Sequence, residues 1–204
     1  MILTPIAPDQ LPMILETVAS RLNGSARQVF ERIAATARFA PDLRADLDAG
    51  RPKAVALAHR LGIPTIDEEP ARAFSWDGRA IRTRSETSVV FHEIAHWQIA
   101  PPERRAVFDF GLGAGPETGR IEDANAAACT DLATRETEEN LASLLGILWE
   151  AEHDEPAVLA LAEQNWLELP SRPHTARHFS ECLDQLKARG LIDFEYGASV
   201  VIKR

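Results

Sequence analysis

Cysteine is scarce in this 204-residue chain, which holds only Cys129 and Cys182. Two cysteines build no disulfide framework, so a reducing cytoplasm is the expected compartment. Long apolar runs are absent as well. No stretch approaches the ~18 continuous apolar residues of a membrane-crossing helix. Met1 to Gln10 lack a basic region followed by an apolar run, so no secretory leader is expected. Positive charge is outnumbered, with 22 Lys and Arg against 31 Asp and Glu and a formal net charge of −9. A diffuse negative field disfavours nucleic acid and anionic membrane surfaces, while leaving room for a cationic partner. Internal repeats and low-complexity tracts are missing too.

What remains is ordinary globular composition, 45% apolar, with enough length for one domain or for a core with a helical extension. Residues 9–22 place Leu11, Ile14, Leu15, Val18 and Leu22 at helical spacing. Asn23-Gly24 breaks that helix, and Ser25 with Gln28 suits a capping box for a second. Two short helices are expected near 42–48 and 52–61. Around Asp77-Gly78, a favoured type I′ pair, the segments Phe74–Trp76 and Ala80–Thr83 read as a β-hairpin. Thr83 with Glu86 can cap the next helix, which Pro101-Pro102 must end by Ala100. Residues 104–110 fit helix or strand equally. Gly111 to Gly119 reads as a flexible loop, able to act as a lid. Helices are expected over 133–152, 155–167 and 175–189, and two short strands over 191–195 and 199–202.

Chemistry concentrates in Val89-Val90-Phe91-His92-Glu93-Ile94-Ala95-His96-Trp97. Histidines at i and i+4 lie one turn apart on a single helical face, so both imidazoles can reach one cation. Glu93 is turned by roughly 100° from His92 and can face a metal-bound water instead of the metal. The competing bland reading is a surface helix with two unrelated histidines.

Two histidines need a third protein ligand to hold a metal firmly. The acidic stretch Arg135-Glu136-Thr137-Glu138-Glu139-Asn140 opens a helix whose Leu141, Leu144, Leu145 and Leu148 form a buried stripe. Glu136, Asn140 and Ser143 make a neighbouring stripe able to face a cleft, so Glu136 is the preferred ligand. Glu139, one turn on, is the second choice, as ligand or as a supporting group. Acidic residues in a first helical turn also suit the helix dipole without any metal. The other histidines carry weaker signals. His174 and His178 repeat the i, i+4 spacing without the glutamate and just after a proline, which fits a loop and helix start. His59 stands alone on a helix, and His153 lies among acidic neighbours and is expected to face solvent. Gly111-Leu112-Gly113-Ala114-Gly115 lacks the spacing and the βαβ setting of a dinucleotide fingerprint. A winged-helix reading of the C-terminal helix and strands conflicts with the acidic charge.

The run His92-Glu93-Ile94-Ala95-His96-Trp97, followed by Arg104-Arg105 and Asp109-Phe110-Gly111, resembles the elongation factor P hydroxylase family. Gly119-Arg120 and Arg172-Pro173 extend the similarity, which covers residues 89–111 well and 112–180 loosely. Leu112 and further glycines stand where the family has aromatics. The resemblance implies a metal held by the histidine pair and a downstream glutamate, at Glu136, and hydroxylation of a modified lysine on a translation factor. Glu136 to Leu145 is also similar to the glutamate helix of repressor-cleaving and stress-response metallopeptidases.

Two histidines and one carboxylate suit zinc in a hydrolase, with Glu93 as general base, and equally iron(II) in an oxygenase, with Glu93 supporting from outside the ligand set. A metal-stabilised binding module is the non-enzymatic alternative. The expected fold is α+β and mainly helical: a helical extension over 1–70 packs on a catalytic core over 71–204. That core is expected to be zincin-like, with a short sheet, an active-site helix and a second ligand-bearing helix. The expected cofactor is one Fe2+ or Zn2+ ion, and the expected substrate a protein or peptide.

Overall fold

The computed structural model describes residues 9–39, 48–70, 75–115, 118–167, 174–195 and 199–202. In chain order the elements are α1 (Leu11–Arg21), α2 (Gly24–Ala34), α3 (Arg51–Arg60), β1 (Thr65–Ile66), β2 (Ile81–Arg82), α4 (Thr87–Ile99), α5 (Ile121–Ala127), α6 (Leu132–Glu152), α7 (Ala157–Glu163), α8 (Thr175–Ala188), β3 (Ile192–Glu195) and β4 (Ser199–Ile202). Among the described residues the protein is mainly helical, with two two-stranded sheets, so the mainly helical character follows the sequence. The helix expected near 42–48 lies almost wholly outside the described residues. Among the described residues, no helix is long and apolar enough to cross a membrane.

The chain divides into two compact units, one of residues 1–45 with 147–204 and one of residues 46–146. The divisions fall at 45/46 and 146/147. In the first unit, Val18, Phe30, Ile33, Leu161, Phe179 and Leu186 are buried. Phe30 meets Phe179 edge to face with ring centroids 5.5 Å apart, a geometry the ring quadrupoles favour. The Thr36 hydroxyl donates to Ile33 O at 2.6 Å and accepts from Val158 N at 3.0 Å, which satisfies a polar group within that apolar interior. β3 and β4 pair antiparallel, Ile192 opposite Ile202.

The second unit holds the chemistry-bearing segments. β1 and β2 pair in parallel, Thr65 opposite Ile81. The expected hairpin is reduced to a single antiparallel bridge, Trp76 to Ile81. Its turn is not the expected type I′, which needs left-handed backbone at both central positions: Gly78 has φ +81 but Asp77 does not have positive φ, and Asp77 Oδ1 instead accepts from the Arg79 and Ala80 amides. The Thr83 hydroxyl donates to Ile66 O at 3.3 Å instead of capping α4, whose N-cap position is Glu86. α4 buries Val90, Phe91, Ile94, Ala95 and Ile99 at the i, i+3, i+4 spacing of one face. It stops at Ala100, whose extended backbone (ψ 132) is what a following proline demands. α6 starts behind Asp131, whose Oδ1 accepts the Thr134 amide at 2.7 Å as an N-terminal cap.

Candidate metal centre

One close approach positions the site. Gly146 on α6 has no side chain where a Cβ would stand 3.2 Å from both Cα and N of His92. The α6 backbone therefore lies against the α4 backbone at the first histidine. Seven residues before Gly146, two turns up the same face, is Glu139. It reaches the imidazoles because Gly146 lets the helices meet.

His92 Nε2 and His96 Nε2 are 2.9 Å apart, and Glu139 Oε2 lies 3.6 Å from the first and 3.5 Å from the second. Those separations define a triangle whose corners are all about 1.9 Å from one point, close to the ~2.0–2.1 Å of zinc–imidazole and zinc–carboxylate bonds. His92, His96 and Glu139 are thus a group that could hold a metal ion. The rings stand perpendicular, centroids 4.5 Å apart, each turning its Nε2 to the same point.

Glu136, the preferred ligand from sequence, is exposed and outside this group. Three residues from Glu139, it points about 60° away around the helix. The signal that finds Glu139 is Gly146: an isolated glycine in a leucine-rich helix marks a close backbone approach, and Glu139 shares its face. Glu93 is half-buried, and its charge acts on His96.

Charge is strongly coupled here. Burial alone would lower the His96 pKa, but Glu139, aided by Glu93 and Glu138, outweighs it and holds it above the ordinary value. Burial would raise Glu139, yet the two imidazoles hold its carboxyl well below the usual carboxylate range. The cluster is built to surround positive charge, whether a proton or a cation.

Around these three residues lies a pinned loop. Phe108–Gly111 forms a 3-10 turn in which Asp109 (φ 43) and Phe110 (φ 55) both take left-handed backbone. This conformation is costly for residues with a Cβ. It places the Phe110 ring 5.2 Å from Trp76 and 5.5 Å from His96, nearly parallel to both. Asp109 is half-buried; burial pushes its carboxyl pKa up, the Thr118 hydroxyl bonded at 2.8 Å opposes this, and the charges of His96 and Glu139 also reach it. The glycine loop read as a flexible lid is tied down over its described part. The Gly111 carbonyl accepts from Cys129 N and Thr130 Oγ1, the Ala114 amide donates to Asn125 Oδ1, and Arg135 donates to the Ala114 carbonyl.

The remaining histidines are not members of the group. His59 Nε2 is 2.8 Å from Thr65 Oγ1. His178 stacks on Trp166, with the buried Cys182 thiol beside it, pushed by burial to a pKa of about 12 and so kept inert. His153 is half-buried rather than solvent-facing, its Nδ1 2.8 Å from Trp149 O. Neither cysteine is disulfide-bonded. Compared with known proteins, the chain matches no family model, no curated protein and no solved structure.

Proposed function

We propose that this is a cytoplasmic metal-dependent enzyme of zincin-like architecture, holding one Fe2+ or Zn2+ ion on His92, His96 and Glu139. The observation that carries the reading is the convergence of two Nε2 atoms and one carboxylate oxygen on a point at metal-bond distance from each. Three protein donors leave coordination positions open, as catalytic sites do and structural sites do not. An iron(II) ion there supplies oxygen chemistry and a zinc ion supplies acidified water.

Between these, oxygen-dependent hydroxylation of a protein side chain is the favoured reaction. The resemblance of residues 89–111 to elongation factor P hydroxylases supports it, with a translation factor as substrate. A peptidase that binds its substrate as an added strand needs an exposed strand of useful length beside the active-site helix. The strand ahead of α4 spans only Ile81–Arg82 and pairs with the equally short Thr65–Ile66. In either chemistry Glu93 works from outside the ligand set. It would take a proton from water activated there or orient the substrate, while Phe110, backed by Trp76, lays an apolar ring against His96.

Protein purified anaerobically without added ions, analysed for metal and then incubated in air with a lysine-modified translation factor and a two-electron reductant, which takes the second oxygen atom to water, tests the reading. One iron per chain and gain of one oxygen atom by the factor, lost in Glu93→Gln with the metal retained, is the expected result. One zinc per chain with peptide cleavage transfers the assignment to a hydrolase. No bound divalent metal overturns it.

A further inference from the structure

We infer that Arg104 and Glu138 form a positioning pair for the metal centre, fixing the rotation of α6 that aims Glu139 at the histidines. The inference rests on the metal-binding reading above and adds two residues outside its ligand set. Arg104 Nη2 lies 2.5 and 2.7 Å from the two Glu138 carboxylate oxygens, and Arg104 Nη1 donates to the Phe110 carbonyl at 3.1 Å. The two side chains are only 11% and 8% exposed.

A pair so buried gives up hydration that its mutual attraction only repays when the geometry is good, and two apolar side chains would join the same elements as firmly. Its geometry, with one guanidinium nitrogen on both carboxylate oxygens, points to orientation, which apolar contact does not specify. Glu138 and Glu139 are neighbours on α6, about 100° apart around its axis. Clamping Glu138 to Arg104 prevents the turn of the helix that would carry Glu139 away from the imidazoles. The same guanidinium holds the carbonyl of Phe110, a residue in left-handed backbone whose ring lies against His96. One side chain thus links the carrier of the carboxylate ligand to the ring that backs a histidine ligand.

The test compares wild type, Arg104→Lys, and the uncharged double variant Arg104→Met with Glu138→Leu. Zinc affinity is measured by competition with a chromogenic chelator, the visible absorption of cobalt(II)-loaded protein reports ligand geometry, and melting of the metal-free protein reports the fold. The expected result is a loss of zinc affinity of about tenfold or more in both variants, the size typical when groups that orient metal ligands are removed. A displaced cobalt band should accompany it, with the double variant melting close to wild type. Wild-type zinc affinity and an unmoved cobalt band in either folded variant would overturn the assignment and leave a purely structural ion pair. Should the double variant not fold, Arg104→Lys decides by the same two readings. A wild-type chain that binds no zinc or cobalt would instead sink the metal reading, and this pair's role with it.

Discussion

Glu136 and Glu139 are chemically identical and separated by less than one helical turn, so only their direction distinguishes them. Glu139→Gln removes the carboxylate 3.5–3.6 Å from both imidazoles and is expected to leave the purified protein largely without metal. Glu136→Gln, at an exposed position outside the group, is expected to keep one equivalent. Elemental analysis of the two variants side by side checks this; the reverse pattern would restore the ligand chosen from sequence. Gly146 sets up an opposed pair of effects. Replacing an interior helical glycine by alanine gains roughly 0.5–1 kcal/mol of helix propensity. A Cβ 3.2 Å from the His92 backbone overpacks the helix contact, a fault that costs about 1–3 kcal/mol. Backbone cannot swing aside as a side-chain tip can, so the second effect wins. Gly146→Ala is expected to destabilise the chain by about 1–2 kcal/mol in urea unfolding and to weaken zinc binding. A stabilised variant would show that the helices have room to part.

At the scale of elements, the turn Phe108–Gly111 holds two residues in left-handed backbone, and stacking of the Phe110 ring on Trp76 and His96 opposes that strain. Phe110→Ala removes both stacks from a side chain only 1% exposed. It is expected to cost about 3–5 kcal/mol, the range for a buried phenylalanine, measured as a lowered urea midpoint; a loss under about 1 kcal/mol would mean that the turn is held by its hydrogen bonds alone. The sequence hardly announces this turn: aspartate is enriched in left-handed backbone, but a bulky phenylalanine beside it is not a residue that marks it. α4 was legible for the opposite reason. Its apolar spacing, its histidine pair and the proline behind it agree, and the helix ends where Pro101 requires. α6 was legible as a helix, but its rotation was not. Leucines define which side is buried, whereas the direction of a polar side chain depends on which helix lies alongside, a long-range fact. The glycine loop misled similarly: glycines permit motion, while the hydrogen bonds from Asn125, Cys129, Thr130 and Arg135 that restrict it come from residues well along the chain.

For the molecule as a whole, the group of His92, His96 and Glu139 couples stability to pH, and on the metal-binding reading a cation reverses the histidine part of that coupling. Without metal, the raised His96 pKa contributes stability that is full below its ordinary value of 6.5 and is lost as pH rises through the folded value. The depressed Glu139 carboxyl contributes stability that is full above its ordinary value of 4.5 and is lost as pH falls through the folded value. The metal-free pair therefore contributes most between those two ordinary values. A cation reverses the histidine part, because it binds only neutral imidazole and must displace the proton that Glu139 helps to retain. Raising the His96 pKa thus moves the onset of tight metal binding upward in pH, and binding strengthens until that ring is neutral without the metal. Melting curves with and without saturating zinc should separate little near pH ~5.5 and progressively more towards pH ~8. In Glu139→Gln the separation should shrink at every pH, since the substitution removes a ligand along with the charge that holds the proton. A zinc-induced shift that is largest at the acid end would place the ion on carboxylates alone and remove both histidines from the site.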